Sequence, residues 1–432
     1  MKQKSEKVAV MWFRRDLRFE DNTALQHALD SGYAVLPVFL FDTNILKELP
    51  RDDARFSFIF NKLQELHQSF EEKGSALLTY EGEPLALWET ILSQYSVASV
   101  YCNNDYEPYA RERDAAVGAL LEKHHIDFFC YKDQIIFEKN EILKEDGKPY
   151  TVFTPYKNKW LRKFQTLQYD PFISPALDQL LKHQVQFPSI EELGFEKSTI
   201  TVNDFDLSRV NEYASTRNLP GENSTSFLSP HLRFGTVSIR TIVKKLEGNS
   251  DVFLSELIWR EFFMQILFHY PRVVHQNFHN KYDGIQWRNS EEDFQLWCQG
   301  NTGYPMVDAG MRQLNQTGYM HNRVRLVTAS FLCKHLLIDW RWGEAYFAQH
   351  LLDYELSSNN GNWQWAAGTG CDAAPYFRIF NPTTQMEKFD KDLKYVKKWV
   401  PEYGTATYSS PMIDHAFARS RALEVYKNGI NR

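Results

Sequence analysis

Along the first 132 residues, short apolar runs alternate with stretches of helical periodicity. VAVMWF (8–13), AVLPVFLF (34–41), ALLTYE (76–81), ASVYCN (98–103) and DFFCYK (127–132) read as five strands. Between them, Asp21 or Asn22 caps a helix that runs through Ala28. Phe56, Ile59, Leu63 and Leu66 mark one face of a long amphipathic helix over about 55–73. Apolar strands with intervening helices predict a parallel sheet covered on both faces, a five-stranded Rossmann-like α/β domain. The turn after the first strand, FRRDLRFED, lacks G-x-G-x-x-G, so the domain is not a standard NAD-binding unit.

Over 133–204 this pattern breaks. Pro149, Pro155, Pro171, Pro175 and Pro188 punctuate the stretch, while Trp160, Phe164 and Phe172 give it something to bury. An interdomain connection with short helices is expected. From 205 onward the periodicity is helical, as in LSELIWREFFMQILFHY (254–270) and RVRLVTASFLCKHLLIDW (323–340). The expected division is therefore an α/β domain over 1–132, a linker over 133–204 and an all-α domain over 205–432.

Composition narrows the chemistry. A chain of 432 residues is long enough for two or three domains. The net charge of −6 disfavours a partner held by overall charge, but a local basic face is enough for nucleic acid. Lys157, Lys159, Arg162 and Lys163, and the run Lys391, Lys394, Lys397 and Lys398, are candidates for such a face. No apolar run reaches bilayer length, and the polar start MKQKSEK carries no export signal, so a cytoplasmic location is expected. The five cysteines, Cys102, Cys130, Cys298, Cys333 and Cys371, show no C-x-x-C spacing and read as reduced core residues with no metal site. Seven of the 11 tryptophans fall between Trp259 and Trp365, a density that points to a planar ligand.

Four segments carry candidate chemistry. Tyr213 to Arg217, followed by STSFLSPHLRFGTVS (224–238), offers hydroxyls and amides suited to a diphosphate, with a helix start near Ser238. In ELIWREFFMQ (256–265), Glu256, Trp259, Arg260 and Phe263 recur at three- or four-residue spacing and share one helix face. In GYMHNRVRLVTASF (318–331), Asn322 and Arg325 sit one turn apart. In LLDYELSSNNGNWQWAAGTGCDAAPYFRIFNPTTQ (351–385), Asp353 is a partner for Arg325 in an apolar context, where a charge is costly unless paired. Trp363 and Trp365 are two apart and point differently unless a helix end intervenes.

WFRRDLRFEDN (12–22), YMHNR (319–323), NNGNWQWAAGTG (359–370) and DAAPYFRIFNP (372–382) together resemble the photolyase/cryptochrome family, over nine tenths of the chain. The resemblance implies an N-terminal α/β antenna domain and a C-terminal helical domain that binds FAD. By it, Tyr213, Thr225, Ser226, Phe227, Leu228 and Ser229 line the diphosphate, and Asp353, Tyr354 and Glu355 run past the flavin and ribose. Arg325 pairs with Asp353, and Asn359 faces flavin N5. Family members usually carry Asp where this chain has Glu355.

The resemblance also implies a lesion pocket for UV-damaged DNA. Glu256 hydrogen-bonds a cyclobutane pyrimidine dimer, Trp259 and Trp365 form an aromatic corner, and Asn322 contacts the dimer. Arg217, Arg260, Arg323, Arg378 and Gln385 meet the strand, with Phe263 on the same helix face. Trp363, Trp340 and Trp287 match the electron relay, while Trp297, Trp342 and Trp399 read as structural. The implied activity is a monomeric carbon–carbon lyase that splits the dimer with an electron from photoexcited reduced FAD, with no obligate protein partner.

Four features favour the class I type of dimer repair: the single His in Met320-His321-Asn322, Asn359, Trp365, and the lack of a long tail. YEPYARERD (106–114) lacks the folate-antenna Asn-Glu pair. A second chromophore of deazaflavin or flavin type is therefore expected, lined by Phe39, Phe41, Arg55, Asp105 and Glu107, with Arg51 departing from one such pattern. The rival readings are a cryptochrome-type photosensor without repair, an electron-transfer flavoprotein, and a nucleotide-binding α/β protein.

Overall fold

A computed structural model describes residues 6–170, 174–222, 224–246, 248 and 250–431. Pro171, Phe172 and the first five residues lie outside them. The chain forms two compact units. The first comprises Met1–Glu141, Lys163–Asp204 and Leu228–Glu247. The second comprises Ile142–Arg162, Phe205–Phe227 and Gly248–Arg432.

The first unit is built on five parallel strands: β1 (Val8–Phe13), β2 (Ala34–Asp42), β3 (Leu78–Gly82), β4 (Val97–Asn103) and β5 (Asp127–Tyr131). Their order is β3-β2-β1-β4-β5, with Val10 registered against Leu36 on one side and Val100 on the other. Both faces are covered. Met11, Phe13, Leu25, Phe56, Leu63 and Phe70 pack on one, and Trp12, Trp88, Val117 and Leu121 on the other. That two-sided burial is why β1, β2 and β4 read as continuous apolar runs, whereas the edge strand β5 is largely exposed.

Asn22, not Asp21, caps the first helix, Thr23–Leu29, by accepting from the Leu25 N–H. Asp21 has φ 47 and instead receives Arg240 at 2.8 Å and the Ser238 hydroxyl. The helix Ala54–Glu71 begins after Asp53, whose carboxylate accepts from the Arg55 and Phe56 amides. The connection loops after β1 and β4 flank the point where strand order reverses, the usual crevice of such sheets.

The second unit is helical. Its core gathers Met306, Val307, Leu314, Met320, Val324, Phe331, Leu332, Trp340, Phe347 and Trp363. The helical periodicity over 323–340 is divided between segments. The chain makes the helix Asn322–Ser330, a π-helical segment Phe331–Leu336, and Leu337 at φ 52. Asp339 then caps a new helix, Trp340–His350. Residues 331–336 are buried on every side, so packing rather than an apolar stripe sets their conformation. Lys334 lies inside this segment and donates to the Ala367 carbonyl at 2.7 Å.

Candidate functional site

The helix Asp251–His269 organises the second unit's polar cluster. Ser250 caps it by accepting from the Phe253 N–H. Glu256 projects from its first half and meets the Arg217 guanidinium at 2.6 Å, both side chains remaining partly exposed. Arg217 in turn lies over the Tyr213 ring at 5.3 Å, and Tyr213 packs edge-on against Phe253 at 4.9 Å.

One turn later, the Trp259 indole stacks on Phe153 at 3.7 Å and 9°, and on Phe263 at 5.4 Å. Phe263 is buried (5 %), and its ring occupies the space a side chain at Gly361 would need. It therefore braces Trp259 and does not present a strand-facing surface, contrary to its expected place among the DNA contacts. Arg260 pairs with Glu355 at 3.1 Å, and the Glu355 side chain is 5 % exposed. The extra methylene of Glu355 thus reaches a guanidinium of the neighbouring helix.

The sequence reading missed Glu261, on the opposite face of this helix. Its buried carboxylate accepts from the Tyr156 hydroxyl at 3.1 Å and the Trp160 indole N–H at 2.7 Å. Those bonds hold the helix Phe153–Phe164, and with it Phe153 behind Trp259. A charged residue flanked by Phe262, Phe263 and Met264 was the available signal.

A second cluster surrounds Asp353. Arg325 reaches it with two nitrogens, at 2.9 and 3.2 Å, and spends its Nε–H on the Met320 carbonyl at 2.8 Å. Burial opposes the Arg325 cation, but Asp353 outweighs it and raises the pKa. The expected pairing of Arg325 with Asp353 is thus present. Asn359 donates to the Glu344 carbonyl at 3.0 Å, and burial pushes the Glu344 carboxyl up to about 7. Glu344 is a second residue the sequence did not single out.

Asn322 is exposed at the start of its helix, which His321 caps by accepting from the Arg323 N–H. Burial, with Arg325 and Arg323 close by, lowers the His321 pKa to about 4. Arg323 donates to the Asn218 side chain at 2.6 Å and lies over Phe389 at 4.6 Å. Trp365 is half-buried, Arg378 exposed and Gln385 half-buried. Trp363 and Trp365 lie within one unbroken helix, Leu356–Ala367, so their indoles leave it in different directions.

Trp363 is buried against Gly343, where any Cβ would meet its ring. Its ring neighbours are Phe347 at 5.0 Å and Trp297 at 6.2 Å. Trp340 is fully buried and donates its indole N–H to Asn277 at 2.9 Å. Trp287 is half-buried and meets Tyr426 edge-on at 5.8 Å.

Thr225 and Ser226 line a shallow, solvent-open depression with Tyr213, Ser224, Asp206, Arg209, Val210 and Phe253. Hydroxyls beside the Arg209 guanidinium suit a diphosphate. These donors fit the expected dinucleotide. Phe227 takes φ 51 and packs on Tyr319 at 5.1 Å; Tyr354 is half-buried. Leu228 and Ser229 open the helix Leu228–Phe234 of the first unit. The helix start expected near Ser238 is present: the helix Ile239–Leu246 follows it, and the Ser238 hydroxyl accepts from the Arg240 N–H while donating to Asp21.

In the first unit, Asp105 and Glu107 share Arg15 at 3.2 and 3.1 Å, and Glu107 also holds Arg233 at 3.0 Å. Burial opposes the Asp105 charge, but Arg15, Arg14 and Arg233 keep its carboxyl below the usual range. Phe39 and Phe41 meet edge-on at 5.0 Å at the end of β2. Arg55 folds onto Asp53 at 2.5 Å, while Arg51 is largely exposed. Tyr109, where the folate pattern is lost, donates to Asp42 at 2.5 Å.

A parallel α/β unit and a helical unit with a buried Arg–Asp pair, an indole-bearing helix and a tryptophan-rich core define the photolyase/cryptochrome scaffold. Residues 9–176 match the family described as DNA photolyase, and residues 253–407 the FAD binding domain of DNA photolyase. The deoxyribodipyrimidine photo-lyase of Vibrio cholerae is 36% identical over 97% of this chain and 99% of its own. That of Escherichia coli is 36% identical over 97% and 98%. Among solved structures, a class III photolyase from Agrobacterium tumefaciens superposes with a TM-score of 0.87 at 32% identity, covering 100% of this chain and 99% of its own. An archaeal photolyase from Sulfolobus tokodaii with two FAD molecules gives 0.83 at 34%, covering 97% and 99%. A Synechocystis cryptochrome gives 0.86 at 26%, covering 98% and 100%. The chain belongs to the DNA photolyase family and carries its FAD-binding domain. No helix among the described residues is long and apolar enough to cross a membrane.

Proposed function

We propose that this protein repairs cyclobutane pyrimidine dimers in DNA under light. The observation that supports this reading most is the face of the helix Asp251–His269. There a partly exposed carboxylate, Glu256, and an indole, Trp259, stand one turn apart, the first held by Arg217 and the second backed by Phe153.

Tyr213, Thr225, Ser226, Phe227, Leu228, Ser229, Arg325, Asp353, Tyr354, Glu355 and Asn359 are the residues assigned to FAD. When bound and reduced, FAD supplies the light-absorbing electron donor. The chain's own residues bind and orient. Trp259 and Trp365 stack on the two pyrimidines, returning about 1–3 kcal/mol per base against the few kcal/mol needed to unstack a lesion. Glu256 and Asn322 hydrogen-bond the dimer, with the Arg217 cation next to the carboxylate. Arg217, Arg323 and Arg378, with Gln385, meet the strand; Arg260, already paired with Glu355, fixes the pocket wall. Trp363, Trp340 and Trp287 form the relay that delivers electrons from the surface.

The class I type is assigned on Asn322, Asn359 and Trp365. A second chromophore of deazaflavin or flavin type is assigned to the crevice of Phe39, Phe41, Arg55, Asp105 and Glu107. The α/β domain expected over 1–132 is assigned as the antenna part, 133–204 as the connection and 205–432 as the catalytic part, although Lys163–Asp204 and Leu228–Glu247 pack with the first unit and Ile142–Arg162 with the second. A cytoplasmic monomer with damaged DNA as its partner completes the assignment.

Dark binding tests the lesion pocket. Fluorescence anisotropy is expected to show tighter binding to a duplex with one thymine dimer than to its intact twin, with the preference surviving added salt while overall affinity falls. Equal affinity for both duplexes contradicts the reading.

A further inference from the structure

Strands β4 and β5 bring two cysteines together that the flavin chemistry does not use. Cys102 and Cys130 are direct partners in the parallel register, and their sulfurs lie 3.4 Å apart. Registered residues on neighbouring strands project from the same face. Strands in a sheet run about 4.7–4.9 Å apart. That spacing falls inside the roughly 4.4–6.8 Å between Cα atoms that a disulfide accepts. Small χ1 rotations therefore bring the sulfurs to bonding distance with the backbone in place.

The two thiols are not equivalent. Cys102 is fully buried among Val10, Trp12, Val100 and Val117, whereas Cys130 is exposed on β5, the edge strand. The hydrogen bond from Cys102 lowers the Cys130 pKa, against burial and with help from Arg14. Burial, above all, raises that of Cys102. Arg14 is fixed at the end of β1 by Asp114 and by the Asn103 carbonyl. An exposed sulfur of thiolate character beside a sheltered second thiol is the arrangement of an attacking and a resolving cysteine.

We propose that Cys102 and Cys130 form a reversible disulfide site, oxidised by hydrogen peroxide through Cys130. The Cys130 thiolate attacks one peroxide oxygen, the O–O bond breaks, and hydroxide leaves a sulfenic acid. The Cys102 sulfur then attacks Cys130, the S–O bond breaks, and the hydroxyl departs as water with the Cys102 proton. Overall, two thiols and one peroxide give one disulfide and two waters. The sulfurs lose two electrons and the peroxide gains them. An added dithiol reverses the step. The bond ties the ends of β4 and β5 three residues ahead of Asp105, so it also stiffens the loop that carries Asp105 and Glu107.

The other cysteines provide the internal control. Burial pushes the Cys298 and Cys371 thiols up to about 12 and that of Cys333 higher still. Full-length protein is treated with dilute peroxide, denatured, alkylated and digested. Mass spectrometry is expected to find a Cys102–Cys130 linked peptide pair that dithiothreitol releases, with Cys298, Cys333 and Cys371 alkylated. Cys130→Ser, a change at an exposed position, is expected to leave Cys102 alkylatable after the same treatment. Wild-type protein in which both remain thiols, or in which Cys130 stops at a sulfenic or sulfinic acid without linkage to Cys102, overturns the proposal.

Discussion

The carboxylate of Glu256 lies 2.6 Å from the guanidinium of Arg217, and both side chains remain partly open to solvent. A residue assigned to the lesion and a residue assigned to the strand are thus one unit. Glu256→Gln keeps the shape and removes the charge. A hydrogen bond to a charged group is worth about 1.5–3 kcal/mol. Repair per absorbed photon is therefore expected to fall roughly 10–100-fold, with flavin content unchanged. Arg217→Met is expected to weaken binding to damaged and intact DNA alike. It should reduce the slope of log affinity against log salt by about 0.9, the share of one phosphate contact. Flavin absorbance, photolysis yield and a salt titration check the three points.

Arg325 and Asp353 form a mostly buried ion pair whose loss leaves one charge without its partner. Asp353→Asn is expected to cost about 3–5 kcal/mol in urea unfolding of the FAD-free protein. It should also release FAD at lower denaturant than wild type. The double variant Arg325→Met/Asp353→Leu is expected to recover much of the unfolding free energy and none of the FAD retention. That split separates a structural pair from one that also serves the cofactor.

His321 caps its helix through an acceptor nitrogen, which protonation removes. Burial, then Arg325 and Arg323, lowers its folded pKa to about 4 from the usual 6.5. Between those values the unfolded chain binds more protons, so stability rises with pH across that window and is lost as pH falls through it. His321→Asn keeps a capping side chain and cannot be protonated. Unfolding free energy measured from pH 4 to 7 is expected to be flatter for His321→Asn than for wild type.

Trp363 packs its ring directly over Gly343, in the core that also holds Trp340. As the first member of the relay, Trp363→Phe is expected to abolish light-driven reduction of oxidised bound FAD. Repair by protein reduced chemically with dithionite should continue. Absorbance under illumination, with and without dithionite, checks the split.

Strands β1, β2 and β4 were legible because burial on both faces leaves uninterrupted apolar runs, and the largely exposed edge strand β5 was legible from its aromatic residues. Asn22 and Asp21 were indistinguishable as caps until Arg240, over two hundred residues away, was seen to take Asp21. The Arg325–Asp353 pair was readable because two charges in apolar segments need each other. The break at Phe331–Leu336 was not readable, since a segment buried all round has no stripe whose period can be measured. Glu261 and Glu344 escaped for a related reason. Tyr156 and Trp160 lie over a hundred residues from Glu261, and Asn359 and Asn360 sit on the next helix from Glu344, at no spacing that a single element's period reveals.

Light-dependent removal of a defined lesion decides the central claim. An oligonucleotide with a single thymine cyclobutane dimer is incubated with purified, reduced, FAD-loaded protein, and intact strand is quantified by chromatography after blue-light exposure and after equal time in the dark. Conversion to intact thymines is expected in the light alone, with a much smaller yield for Trp259→Ala. Flavin that photoreduces normally while the dimer persists through illumination contradicts that claim and leaves a photosensor in its place.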